Sequence, residues 1–93
     1  MDNKEILSIL SMDLKRVAMG FHQKSHKTAE RFLDESIRYC KKVNTQELLP
    51  YMILILKEIN SLKNIPASRR AEDALLLSTR IQNYVLYKMN SVK

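Results

Sequence analysis

The chain is predicted to be all-α, a small up-and-down bundle of four helical segments, and three observations predict it. Only one glycine and two prolines occur in 93 residues, where average usage would supply about a dozen of the two together. These residues are the main punctuation between structural elements, so their scarcity leaves few places where a helix must stop. Apolar residues also recur at spacings of three and four along most of the chain, the period of a helix with one buried face. Finally, the breaks between periodic segments are short, which favours antiparallel neighbours. A sheet-rich domain of this length would need turns that the composition does not provide.

The first segment covers residues 3–19. Ile6, Leu10, Leu14, Val17 and Phe21 share one helical face, and Asp2 followed by Glu5 has the form of a capping box. Met12 and Met19 point the opposite way and give this helix a second, narrower apolar line. The second segment covers residues 25–43, with Ala29, Phe32, Leu33, Ser36, Ile37 and Cys40 as its buried face.

Gly20 lies between them, and two readings compete. In one, Gly20 ends the first helix in a left-handed cap and Ser25 caps the next. In the other the helix runs through, because Leu10, Leu14, Val17, Phe21, Ser25, Thr28 and Phe32 keep one phase and a helical glycine costs only about 1 kcal/mol. A helix of some forty residues would be about 60 Å long. It would imply a three-helix core with a long N-terminal helix, completed by dimerisation. The break is preferred, because such an arm would protrude from so small a domain.

Asn44 with Glu47 resembles another capping box, and Pro50 places the start of the third helix near Leu49. From residue 51 to 62 the chain is apolar almost all round, which predicts a central helix surrounded by the others. Asn64, Ile65 and Pro66 form a stop. Ser68 is the expected cap of a last helix ending near Asn90, with Ala71, Ala74, Leu77, Ile81, Tyr84 and Val85 inward and Leu76 and Tyr87 outward.

Ninety-three residues suit a single helical domain spanning 1–93. Sixteen Lys and Arg against ten Asp and Glu give a net charge of +6, which suits an anionic partner and equally suits plain solubility. Cys40 is the only cysteine, so no intrachain disulfide is expected, and its place at the edge of an apolar stripe predicts a buried thiol. The first residues lack a signal-peptide core, and the longest apolar run, nine residues from Leu48 to Leu56, is too short for a bilayer. A cytoplasmic protein is expected.

No diagnostic motif occurs. Lys24, Arg31 and Arg38 stand at sevens, and Lys27 and Lys42 lie within about 40° of that line. Together they are the candidate anion or nucleic-acid surface, able to follow a phosphate backbone. A solvated charged face is the alternative, with Glu30, Asp34 and Glu35 beside it. His22 and His26, four apart, with Glu30 continuing the spacing, are weak candidates for a metal. No second Glu-x-x-His element accompanies them, and Lys24 and Lys27 would oppose a cation.

Nothing positions a nucleophile and a base together. Cys40 and His26 are nearly four turns apart on one helix, and Ser68 or Ser78 would need a histidine from elsewhere. Asp13, Asp34, Glu35, Glu72 and Asp73 read as surface carboxylates among basic residues. Arg69 and Arg70 could meet an anion at a helix start or pair with an acidic side chain. No cofactor and no catalytic machinery are expected. The function reading that follows is a non-enzymatic interaction or assembly module, dimeric or bound to a helical partner through Met12, Met19, Leu76 and Tyr87. A nucleic-acid-binding protein is its rival.

Overall fold

The first helix, α1 (Asn3–His22), begins as its sequence dictates. The Asp2 carboxylate accepts from the Glu5 amide at 2.9 Å, and the Glu5 carboxylate accepts from the Asp2 amide at 3.3 Å, so the reciprocal cap forms. The computed structural model describes residues 1–89 of the chain. The far end of α1 departs from expectation. The helix passes through Gly20, stops after His22, and turns at Lys24, which takes the left-handed conformation with φ 63°. The Ser25 amide donates to the Gly20 carbonyl at 2.7 Å and the Lys24 amide to the Phe21 carbonyl at 3.2 Å. These are the two bonds of a Schellman turn. A lysine held there costs about 1–2 kcal/mol, offset by satisfying carbonyls that the helix end would otherwise orphan. The break therefore exists, but not at Gly20, and the continuous long helix with its dimer-completed core does not form.

Gly20 serves a different purpose. A Cβ added to it would stand 2.8 Å from the Ala29 Cβ and 3.0 Å from the Ala29 Cα. The second helix, α2 (His26–Cys40), thus meets α1 at near backbone contact beside the turn. Ser25 precedes α2 without making a side-chain cap.

The other end of this antiparallel pair is fastened by Asn3. Its buried carboxamide accepts from the Asn44 amide and donates to the Asn44 carbonyl, both at 2.9 Å, and lies 3.3 Å from the Glu47 carboxylate. The expected capping box of Asn44 and Glu47 is not made. Asn44 Oδ1 accepts from the Gln46 amide at 3.1 Å over a 3₁₀ turn (Thr45–Glu47), and Glu47 turns to Asn3.

The third helix, α3 (Pro50–Asn60), follows an extended Leu49, with proline in its first turn as expected. It is not the surrounded element. Met52, Ile55, Leu56 and Ile59 are buried, yet Tyr51 and Leu54 are 45% and 57% exposed. The central helix is α1, which buries Leu7, Leu10, Leu14 and Val17 completely and packs along both α2 and α4. Eleven residues are too few for α3 to reach that role, whatever its composition.

After a second 3₁₀ turn (Leu62–Asn64), the last helix, α4 (Ala67–Tyr84), starts directly behind Pro66. Ser68 lies inside it and caps nothing. A wider, π-helical turn (Val85–Met89) continues α4, and the expected end at Asn90 lies outside the described residues. Against α1, the Ser78 hydroxyl donates to the Ser11 carbonyl at 2.7 Å, and the Ser11 hydroxyl donates to the Ser78 carbonyl at 3.1 Å. Two small side chains let the helices approach and satisfy each other's backbone. The Tyr84 hydroxyl accepts from the Leu49 amide at 3.2 Å and ties the end of α4 to the start of α3.

The result is a compact all-α domain of four helices packed against each other, without a strand among the described residues. No described helix is long and apolar enough to cross a membrane.

Candidate functional site

The row of cations is shorter on the helix than its spacing suggests. Because α2 spans only His26–Cys40, Lys24 falls in the turn before it and Lys42 beyond its end. Lys27, Arg31 and Arg38 remain on the helix, and all five side chains are exposed. None of the five is in an ion pair among the described residues, although Lys42 lies over the Tyr39 ring at 4.9 Å.

Arg31 and Arg38 belong to something more organised than a line. Together with Arg16 of α1 they rim a groove between α1 and α2, of about 740 Å³, whose walls include Phe32, Glu35 and Tyr39. The ring of Phe32 holds two of the guanidiniums in place, with Arg31 at 5.2 Å and Arg16 at 5.4 Å from its centroid. The second carboxylate that lines the groove is Asp13, and it is not a surface residue as its basic neighbours suggested. Only 2% of it is exposed.

One Asp13 oxygen accepts from Arg16 Nη1 at 3.2 Å, while the other, Oδ2, is buried without a partner. An orphaned buried acceptor costs about 1–3 kcal/mol and calls for an explanation. Burial, with Glu35 nearby as the second cause, pushes the Asp13 carboxyl up to about 6, against the pull of Arg16. The folded protein then holds this proton more tightly than the unfolded chain does. Stability contributed at acid pH is lost as pH rises from about 4 to about 6. Thermal melts of wild type and Asp13→Asn across that window should show the wild type losing Tm relative to the variant as pH rises. Parallel curves would mean that Asp13 ionises normally.

The signal for Asp13 was present in the spacing. It stands seven residues after Ile6, three after Leu10 and four before Val17, on the buried face, and its charge concealed that.

The metal candidates are divided between elements. His22 closes α1, His26 opens α2 with its ring edge-on to Phe21 at 5.5 Å, and Glu30 lies 3.5 Å from Arg70. The helix break takes His22 off the face that His26 and Glu30 still share on α2. Among the described residues no three His, Cys, Asp or Glu side chains gather as metal ligands do. Cys40 is buried, and that burial pushes its thiol up to about 12, which makes it a poor nucleophile near neutrality.

Arg70 takes a position that sequence reasoning did not assign. Its Nε donates to the carbonyls of Leu62 (3.0 Å) and Ile65 (3.2 Å), and its Nη2 to that of Lys63 (2.8 Å). The guanidinium also sits 5.5 Å from the Phe21 ring centroid and pairs with Glu30. Arg69 makes only a long contact, 3.9 Å, with Asp73.

The outward apolar residues are spread over both flanks of α4. Met19 faces Leu75 across a groove of about 550 Å³ between α1 and α4. Leu76 lies on the other flank, in a cleft of about 290 Å³ shared with Glu58 and Leu62. Leu75 and Leu86, both about half exposed, join Met12, Met19, Leu76 and Tyr87 as exposed apolar side chains. No known protein family, curated protein or solved structure matches the chain.

Proposed function

We propose that the protein is a non-enzymatic assembly module that pairs with a second copy of itself through the outer face of α4. One observation carries this reading: Leu75, Leu76, Leu86 and Tyr87 are each about half exposed or more along one helix and its continuation. A soluble monomer rarely leaves so many large apolar side chains in water on one element.

The face suits itself. If two copies of α4 run antiparallel about a two-fold axis near the level of residue 81, Leu75 of one copy meets Leu86 of the other, since both lie on the same flank. The same axis sets Leu76 opposite Tyr87, so one operation serves both pairs. Charge favours the same arrangement. Lys27, Arg31 and Arg38 lie on α2 and not on α4, so this part of the basic surface is kept out of the contact.

Light scattering at micromolar concentration and moderate salt should give a dimer mass. Replacing Leu75 and Leu76 with lysine should shift the mass to a monomer while leaving helical content unchanged, because both side chains are already in water in one copy. Each lost apolar anchor weakens pairing by about tenfold or more. A wild-type monomer over that range, or a double variant that still dimerises, overturns the reading.

A further inference from the structure

We propose that Asp13 and Glu35 share one proton across the α1–α2 interface as an acid-closed latch, which opens when the proton leaves and Glu35 turns to the arginines of its own helix. The latch lies on α1 and α2 and not on α4, so it stands or falls separately from the pairing of two copies.

Two features of the groove converge on the shared proton. The first is the unserved oxygen. Asp13 of α1 is buried, and Glu35 of α2 lines the same groove from the facing helix. Asp13 Oδ1 accepts from Arg16, whereas no donor of the protein reaches Oδ2, which is also sealed from solvent. An ionised carboxylate would leave that oxygen orphaned. The difficulty disappears if Oδ2 carries the proton, because the Glu35 carboxylate stands within hydrogen-bond reach of Asp13. The Oδ2 hydroxyl then donates to Glu35, and an orphaned acceptor becomes a donor with a partner.

The second feature is what Glu35 forgoes. It stands four residues after Arg31 and three before Arg38, the two spacings at which opposite charges pair along a helix. Glu35 pairs with neither; the carboxylates in ion pairs among the described residues are those of Asp13, Asp34, Asp73 and Glu30. A half-buried glutamate that leaves two neighbouring guanidiniums unused is held elsewhere, and Asp13 holds it.

Few other charges bear on the pair. Burial and Glu35 keep the proton on Asp13, and Arg16 opposes them. Arg31, Arg38 and Tyr39 line the groove from α2, and no residue of α3 or α4 lines it. Once the proton passes to solvent, two carboxylates face each other and repel. Asp13 is packed in place, so Glu35 is the partner that moves, by rotation about its side-chain bonds toward Arg31 or Arg38. One tie between α1 and α2 is then lost. The Asp13 carboxyl releases its proton near pH 6, so the latch is closed on the acid side of that value and open on the neutral side.

The test is carbon-13 NMR of the side-chain carboxyls of the whole chain, from about pH 4 to about pH 8. The Asp13 and Glu35 resonances should both show an inflection at one pH near 6, as coupled groups do. Glu35→Gln removes the facing charge, and Asp13 should then titrate at least about half a unit lower. Asp13→Asn keeps an N–H donor on Glu35 at every pH. Between about pH 5 and about pH 7, amide protection along α2, corrected for intrinsic exchange, should fall about threefold or more in the wild type and stay level in Asp13→Asn. If the asparagine variant does not fold, Glu35→Gln decides, because Glu35 is only half-buried. An Asp13 titration unmoved by Glu35→Gln, or a Glu35 resonance without an inflection near pH 6, overturns the proposal.

Discussion

Arg70→Ala is expected to lower the unfolding free energy by about 2–4 kcal/mol, which for a chain of this size lowers Tm by about 10–25 °C. The size follows from what the side chain holds. Three carbonyls of the α3–α4 connection, on Leu62, Lys63 and Ile65, converge on one guanidinium whose side chain is only 16% exposed. Removing it leaves those acceptors half-sheltered and unpaired, and it withdraws the cation from the Phe21 ring at the end of α1. Lysine should recover little, because an ammonium cannot serve carbonyls on two sides of a planar fork at once. Glu30→Gln separates the contributions. The Glu30 side chain is 54% exposed, so that change should cost less than about 1 kcal/mol. Urea and thermal unfolding of the three variants check this. An Arg70→Ala protein within about 0.5 kcal/mol of wild type would show that the carbonyls are satisfied by water instead.

The second large effect is expected at Gly20. Helix propensity alone favours Gly20→Ala by about 1 kcal/mol, since Gly20 is helical and its φ is not positive. Contact decides otherwise. The new Cβ would lie 2.8 Å from the Ala29 Cβ, with the Ala29 backbone close behind, and neither atom is the free end of a flexible side chain. The helices must separate at their tightest crossing, next to the Schellman turn that joins them. Overpacking of this kind costs about 1–3 kcal/mol, so Gly20→Ala should be net destabilising and Gly20→Val should lose about 3 kcal/mol or more. Ala29→Gly in the Gly20→Ala background should restore part of the loss despite its poorer helix propensity. If Gly20→Ala instead raises Tm, the crossing is looser than described.

Local rules were legible in particular residues. Asp2 with Glu5 starts α1, and Pro50 starts α3, because a cap and a first-turn proline act within four residues of themselves. Apolar spacing placed Leu10, Leu14, Leu33, Leu77 and Ile81 inside, and all are buried. The misreadings also share a cause. Gly20 looked like a stop because glycine has two uses, a turn or a close approach, and only the neighbour's position distinguishes them. Asp13 looked like a surface charge because residue type outweighed its place on the apolar face. The α3 segment looked central because composition reports what can be buried and not what is available to bury it.

The same division applies to the candidate sites. Lys24, Lys27, Arg31, Arg38 and Lys42 were visible as a set, but Arg16, Glu35 and Asp13 join Arg31 and Arg38 only through the pairing of α1 with α2. Arg70 could be read as a cation at a helix start, yet its partners come from α2 and from the loop before it. The sequence by itself determined the all-α class, the order of the helical segments and the faces that α1, α2 and α4 bury. It could do so because those properties depend on residues within a turn or two of one another. The tertiary structure alone decided that α1 is central, that Gly20 is a crossing point, and that Asp13 is buried beside Arg16 with one oxygen left without a partner. Those depend on which helix lies against which, a choice made by the sum of many weak contacts between residues distant in the chain.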